Sequence, residues 1–205
     1  GDGGDLMGLA LKIAAVLAGL YAAFLLCGGV YFYVSVLHRT RKQHHAETPE
    51  STDPFNWLSY QPEAQEGLDQ LARLDHEEVS VRSFDGLTLR GHLYPVKGAR
   101  RTFLLAHGYR STGYNDFNAQ AVYYLTGLRA NVLIIDQRAH GSSEGKRMDF
   151  GLSERFDVRT WAEFLVERFG PEQDLFLNGI SMGCASVLLA AELPLPAAVR
   201  GVIAD

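Results

Sequence analysis

The chain has 205 residues, 47% of them hydrophobic, with 21 glycines and 7 prolines, a composition that is typical of a folded globular protein and excludes a fibrous or disordered one. Its net charge is -5 and its basic residues are scattered outside one short cluster, so we expect no nucleic-acid partner. The two cysteines, Cys27 and Cys184, do not indicate a disulfide framework, and no short His/Cys spacing indicates a metal site.

An apolar segment follows residues 1–12, which are predicted to be an N-terminal tail. Residues 13–37, from Ile13 to Leu37, carry no charge and as a helix would be about 37 Å long, against about 30 Å for the hydrocarbon core of a bilayer. A buried core helix would have a polar face, and a cleaved signal would be shorter and would end in small residues. The segment therefore predicts an uncleaved, single-pass transmembrane helix.

The charges beside this segment predict its orientation. Arg39, Arg41 and Lys42 follow the apolar run, whereas Lys12 precedes it. An excess of Lys and Arg marks the cytoplasmic side of a membrane. We therefore predict a protein of the cell membrane whose following domain faces the cytoplasm, although further positive charge before Gly1 would reverse this orientation.

Residues 38–76 are predicted to be a linker and a short amphipathic helix. Residues 40–62 are polar and punctuated by proline, with an aromatic anchor at Phe55 and Trp57. Helical spacing of apolar residues follows at Leu68, Leu71 and Leu74. We expect this helix to pack against the domain that follows.

Residues 77–205 alternate between strand and helix patterns. A hairpin is predicted over 77–96, around the turn Asp85-Gly86. Apolar runs typical of strands buried on both faces follow at 102–107, 131–136, 174–179 and 199–204. Helical patterns lie between them at 116–128, 152–169 and 182–193. The alternation predicts an α/β fold, a mostly parallel sheet with helices on both faces, whose reactive groups meet at the carboxyl ends of the strands.

A serine between two glycines joins a predicted strand to a predicted helix, in the order Gly179-Ile180-Ser181-Met182-Gly183. Such a turn strains the backbone of the serine and exposes its hydroxyl, while the glycines let neighbouring chain approach closely. We predict that Ser181 is a catalytic nucleophile. The alternative is a glycine-rich helix start in which Ser181 only caps the helix.

The turn His107-Gly108-Tyr109 follows the strand at 102–107. The backbone N–H groups of Tyr109 and Met182 are predicted to form an oxyanion hole, two fixed donors for the charge that develops on a carbonyl oxygen. His107, and His140 in the next strand-end loop, are each conceivable general bases, but a structural role is favoured for both.

Other polar residues occupy the same predicted edge. Asp136 and Arg138 are predicted to pair within their loop, which Gly141 and Gly145 would turn tightly. Cys184, one helical turn after the serine, is predicted to be a buried packing residue. Asp205, which ends the last strand, is a candidate acid partner, although a loop-fixing role is the commoner one.

Four stretches in this order, "SFDGLTLRGHLY", "LLAHGY", "DQRAHGSSEG" and "GISMG", resemble the α/β-hydrolase superfamily. Within it the chain is similar to membrane-anchored members of the serine aminopeptidase-like and dienelactone-hydrolase-like branches. The resemblance covers residues 77–205, which look like the first two thirds of such a domain. It implies Ser181 as nucleophile, the Tyr109 and Met182 amides as oxyanion hole, no cofactor, and a small-molecule, lipid or peptide substrate whose ester, thioester or amide bond is cleaved through an acyl-enzyme.

The departure from that family concerns the base. The family order is Ser, then Asp or Glu, then His, but no histidine follows His140. We therefore expect a C-terminally truncated hydrolase, inactive as a fragment, whose base and acid lie beyond Asp205. Two alternatives stay open: a non-catalytic, membrane-tethered interaction domain on a hydrolase scaffold, and an enzyme that uses His107 or His140 with Asp205.

Overall fold

The computed structural model describes residues 2–39 and 62–205. The predicted linker, with Phe55 and Trp57, lies outside the described residues. The chain divides into two compact units, Gly1–His38 and Arg39–Asp205, and each is described by itself.

The first unit is one long helix. Helix α1 spans Asp2–Phe32 and continues as a π-helical turn over Tyr33–Leu37. It therefore begins well before Ile13, and the predicted tail is helical from Asp2 onward. Among the described residues it is the one helix long and apolar enough to cross a membrane, over Met7–Leu37, and its apolar side chains are exposed. Because a signal sequence near the N-terminus can also pass this test of length and hydropathy, membrane insertion remains a prediction.

The second unit contains four α-helices, six strands and a π-helical turn over Tyr123–Gly127, which continues α3, among its described residues. In chain order the α-helices and strands are α2 (Pro62–Arg73), β1 (Glu77–Arg82), β2 (Thr88–Tyr94), β3 (Arg101–Ala106), α3 (Gly113–Val122), β4 (Asn131–Ile135), α4 (Glu154–Phe169), β5 (Asp174–Gly179), α5 (Met182–Ala190) and β6 (Val199–Ala204). Helix α3 begins earlier than its apolar pattern because Thr112 caps it, accepting a hydrogen bond from the amide of Asn115. Helix α5 ends at Ala190. The sequence predicted a helix that continues to residue 193.

The strands form one sheet in the order β1-β2-β4-β3-β5-β6. Strands β3, β4, β5 and β6 run parallel to one another. Strands β1 and β2 form an antiparallel hairpin, and β2 is also antiparallel to β4. The predicted α/β fold with a mostly parallel sheet and a hairpin over 77–96 is confirmed. Because β3 and β5 are adjacent and parallel, the turns that follow them emerge at one edge of the sheet.

Helices cover both faces of this sheet, as predicted. Alternate residues of β3 point to opposite faces, so that Leu104 lies in one apolar core with α4 and α5, whereas Leu105 lies in another with α2 and α3. Helix α2 packs against α3 through Gly67 and the fully buried Leu71. Leu74 was predicted to lie on the apolar face of α2, which is wrong, because it follows the end of the helix and is 36% exposed.

Candidate active site

Ser181 lies in the turn between β5 and α5, with φ 53° and ψ -114°. A non-glycine residue with a positive φ is strained and persists only where its surroundings hold it. The side chain of Ser181 is exposed and makes no capping hydrogen bond to α5. The alternative of a serine that only caps the helix is therefore wrong.

The two flanking glycines are required by backbone crowding. A Cβ atom on Gly183 would overlap the carbonyl oxygen of Ala106 at the end of β3, and one on Gly179 would overlap the carbonyl oxygen of Gly183. Both obstacles are backbone atoms, which cannot move aside as a side chain can. The close approach predicted for Gly179 and Gly183 is confirmed.

Main-chain contacts hold the turn of residues 179–183, here called the serine elbow, in place. The amide of Ile180 donates to the carbonyl of Ala106 (3.1 Å), and the amide of Ser181 donates to the carbonyl of Asp205 (2.9 Å). Cys184 was predicted to be a buried packing residue, but it is partly exposed, and its free thiol donates to the carbonyl of Asp205 at 2.7 Å. Asp205 thus supports the turn through its backbone, and a role for its exposed carboxylate remains a prediction.

The turn after β3 lies directly beside the elbow. A Cβ atom on Gly108 would lie 3.3 Å from the Cβ atom of Ser181. The amide of Gly108 donates to the carboxylate of Asp116 at 2.6 Å, and the hydroxyl of Ser111 donates to the same carboxylate at 2.5 Å. Sequence reasoning missed Asp116, because a carboxylate in the first turn of α3 looks like an ordinary helix-terminal residue.

Tyr109 and Met182, the predicted oxyanion-hole residues, meet at this edge. The side chain of Tyr109 packs against a small buried cluster that contains Met182 and Met148. Met182 is the first residue of α5, so its amide has no acceptor within the helix. The structure therefore packs the side chain of Tyr109 beside Met182, and an oxyanion hole formed by their two amides remains a prediction.

His107 is fully buried and fixed by backbone groups on both ring nitrogens. Its Nε2 accepts a hydrogen bond from the amide of Gln137 (3.2 Å), so Nδ1 carries the proton and donates to the carbonyl of Gly108 (2.8 Å). The side chain of Gln137 in turn donates to the carbonyl of His107 and accepts from the hydroxyl of Ser186 on α5 (2.6 Å). This network joins the turn after β3 to α5.

His140 is bound in the same way. Its Nε2 accepts from the amide of Arg110 (3.1 Å), and its Nδ1 donates to the carbonyl of Arg138 (3.0 Å). Neither imidazole has a nitrogen left to take a proton from Ser181. The structural role predicted for His107 and His140 is confirmed, and the hypothesis that either is the general base is wrong.

Burial sets the charge of these two histidines. It lowers the pKa of His107 to about 4, and it lowers the pKa of His140 to about 3 with help from neighbouring His107. Both rings are therefore neutral at pH 7, as their acceptor nitrogens require.

Acid should destabilise the second unit through these rings. Because their pKa values are lower in the folded than in the unfolded state, their contribution is fully present above about pH 6.5 and is lost as pH falls toward 4. For His107 the loss is about 3 kcal/mol in the free energy of unfolding. Urea unfolding between about pH 7.5 and 4.5, followed by near-ultraviolet circular dichroism, measures it.

Two variants separate this effect from general acid lability. His140→Gln should flatten the pH dependence, whereas His38→Gln, at a histidine of the first unit, should leave it as in the wild type. An equal slope in His140→Gln and the wild type would contradict the assignment.

The predicted pairing of Asp136 with Arg138 is wrong. Helix α4 brings Asp157 to the end of β4, where the planar guanidinium of Arg138 binds its carboxylate bidentately, with two contacts of 2.7 Å, and also contacts Asp85 at 3.0 Å. Burial by itself lowers the pKa of Arg138, but the hydrogen bonds and charges of these two carboxylates outweigh it and raise that pKa. Asp136 instead accepts a hydrogen bond from the amide of Ser142 at 2.7 Å.

The glycines of this loop behave as predicted. Gly141 and Gly145 have φ values of 45° and 114°, in the region that favours glycine. A Cβ atom on Gly141 would overlap the carboxylate of Asp136. The tight turns of residues 136–145 are therefore confirmed.

The sheet order, the strained serine elbow and the adjacent turn after β3 define the class of protein as an α/β hydrolase. Residues 97–204 match the profile of the family described as serine aminopeptidase, S33. The chain belongs to this family.

Two individual relatives each match 60% of this chain. An uncharacterized protein, YqkD, of Bacillus subtilis (strain 168) is 24% identical over 124 residues, which are 60% of this chain and 40% of that protein. Polyketide transferase ATR5 of Stachybotrys chlorohalonatus (strain IBT 40285) is 29% identical over 133 residues, 60% of this chain and 42% of that protein. The chain thus spans less than half the length of these relatives.

A solved structure shows the same fold. The Pyrococcus furiosus esterase Pf2001 superposes with a TM-score of 0.51 and 26% sequence identity, over 58% of this chain and 47% of the esterase. The predicted resemblance to α/β hydrolases is confirmed.

Proposed function

We propose that the protein is a serine hydrolase that cleaves an ester, thioester or amide bond through an acyl-enzyme on Ser181. One observation carries the proposal: an exposed serine with φ 53° between a strand and a helix, flanked by two glycines that tolerate no side chain. Backbone strain of this kind is typical of functional sites, and this turn is the nucleophile elbow of α/β hydrolases.

The neighbouring amides supply the second part of the chemistry. When the oxygen of Ser181 attacks a carbonyl carbon, the carbonyl oxygen becomes negatively charged, and the amides of Met182 and Tyr109 are the donors proposed to stabilise it. The turn that carries Tyr109 is fixed on both sides, since Gly108 is bound to Asp116 and Arg110 to His140. Such fixed donors need no reorganisation during the reaction.

The proton of Ser181 requires a base. Among the described residues His107 and His140 are the imidazoles of this edge, and both are committed to backbone hydrogen bonds. We therefore propose that the base and its acid partner are supplied from outside the described residues.

Apolar side chains border the proposed nucleophile. Tyr109 stacks on Phe150, which is 40% exposed, with 5.4 Å between ring centroids, while Met148 and Met182 are buried against Tyr109. A surface of this kind suits the apolar acyl group of an ester or lipid, or an apolar peptide side chain. The similarity to an esterase of Pyrococcus furiosus agrees with an ester substrate.

We also propose that the protein is anchored in the cell membrane by α1, with the hydrolase domain in the cytoplasm. The apolar length of Met7–Leu37 supports the span. The excess of positive charge after it, at Arg39, Arg41 and Lys42, supports the orientation.

The acyl-enzyme can be tested by rapid mixing of the natural full-length protein with p-nitrophenyl butyrate. A burst of p-nitrophenol, stoichiometric with enzyme and followed by slower turnover, is expected if acylation is faster than hydrolysis of the intermediate. A trapped butyryl group should appear on the peptide that contains Ser181. The proposal would be contradicted if the ester is hydrolysed but the acid-quenched protein carries no butyryl group on Ser181, as judged from the mass of the intact protein and of its peptides.

A further inference from the structure

Three potential metal ligands meet on the hairpin of β1 and β2, away from the serine elbow. Glu78 and His92 are directly paired across the two strands, and His76 precedes Glu78 by two residues and so lies on the same side. The Glu78 carboxylate lies 3.2 Å from Nε2 of His76 and 2.7 Å from Nδ1 of His92. The three ligand atoms all lie within 4.8 Å of one another.

The imidazole of His92 is the unusual member of this group. His92 is only 8% exposed, and its buried Nδ1 atom faces the Glu78 carboxylate at 2.7 Å without the alignment of a hydrogen bond. A buried polar atom in a folded protein usually makes a well-aligned hydrogen bond, and a metal ion bound to Nδ1 would take the place of that bond. The ring is held in this position between neighbouring aromatic rings, with centroids 5.2 Å from those of His76 and Tyr114.

We propose that His76, Glu78 and His92 form a binding site for a divalent transition-metal ion, with Zn²⁺ the best match. Two imidazoles and one carboxylate are a ligand set that zinc accepts, with a water molecule in the fourth position. Zinc bonds of about 2.0–2.2 Å need ligand atoms about 3.3 Å apart in a tetrahedron. Small rotations of the exposed His76 and Glu78 side chains give that spacing.

This site is separate from the proposed catalytic one. Strands β4, β3 and β5 follow β2 in the sheet, so at about 4.8 Å per strand the cluster lies roughly 14 Å or more from Ser181. The metal would instead join the segment after α2, through His76, to both strands of the hairpin. It is therefore a stabilising or regulatory site, and hydrolysis at Ser181 does not require it.

Short His/Cys spacings in the sequence predict no metal site, because the ligands of this cluster are not all close in sequence. His76 and Glu78 are close in sequence, but His92 joins them only through the register of the hairpin. The usable signal is the pattern His-x-Glu at the start of one strand, with a histidine opposite the glutamate in the next.

Zn²⁺ titration of the full chain, purified in detergent and stripped with a chelator, tests the proposal. Competition with a chromophoric chelator should show one tight site per chain, and Zn²⁺ should raise the Tm. His76→Gln removes one exposed ligand and should weaken binding at least about 100-fold, since even outer partners of a zinc site change affinity by about 10–100-fold.

The matched control is Glu77→Gln on the same strand, which removes an exposed carboxylate that pairs with Arg168 and leaves the three ligands in place, and which should bind Zn²⁺ as the wild type does. If His76→Gln lowers the Tm in the absence of metal, the Zn²⁺ affinity of Glu78→Gln, a variant at the other exposed ligand, is compared with that of the wild type instead. No tight site in the wild type, wild-type affinity in the ligand variants, or loss of binding in the control would each overturn the proposal.

Discussion

Replacing Ser181 by alanine is expected to lower kcat for ester hydrolysis by at least about 10⁴-fold in the natural full-length protein. The reason is that alanine removes the proposed nucleophile, while the donors at Tyr109 and Met182 remain to bind substrate. The Michaelis constant of the residual reaction should approach the dissociation constant of the substrate, because acylation no longer contributes to it. Steady-state kinetics on a p-nitrophenyl ester measure both quantities.

A companion variant separates chemistry from structure. Ser181→Gly should be as inactive as the alanine variant, but more stable than it by about 1 kcal/mol, because glycine adopts a positive φ without strain. Urea unfolding of the two variants provides the comparison. Retention of full activity in either variant would remove Ser181 from the mechanism.

Gly183→Ala is expected to be the most damaging small substitution of the elbow. The added methyl group would overlap the carbonyl of Ala106, and the carbonyl of His107 would be only 2.9 Å away. Since both obstacles are backbone, relief requires β3 and α5 to separate, and we expect a loss of at least about 3 kcal/mol in the free energy of unfolding. Activity should fall with it, because the same shift moves Met182 away from Tyr109.

Gly201→Ala in β6 is the matched control. A Cβ atom at Gly201 would meet only the ring of Phe176, at 3.7 Å and beyond, which is an ordinary contact. We expect a change within about 1 kcal/mol there. If Gly183→Ala and Gly201→Ala destabilise the protein equally, backbone crowding is not the reason that residue 183 is a glycine.

The parts of the fold that sequence reasoning predicted are those set by local pattern. The apolar runs that became β3, β4 and β5 are buried on both faces, so their composition alone marks them. The elbow could be predicted because its chemistry, its glycines and its flanking elements are contiguous in sequence. The roles of His107 and His140 could be weighed but not decided, since the deciding hydrogen bonds come from the amides of Gln137 and Arg110.

The features that escaped prediction depend on distant contacts. Arg138 pairs with Asp157, 19 residues away, and with Asp85, 53 residues away, and not with its near neighbour Asp136. Only the docking of α4 against the sheet creates the first of these pairs. His92 acquires its neighbours in the same way, through the strand register that places it opposite Glu78.

The most direct test of the central proposal is labelling of the natural full-length protein by a fluorophosphonate, which reacts only with an activated serine. The proposal predicts one phosphonate per chain, located on Ser181 by peptide mass spectrometry, and no labelling of Ser181→Ala. Equal labelling of the wild type and Ser181→Ala, or modification of a different residue, would contradict it.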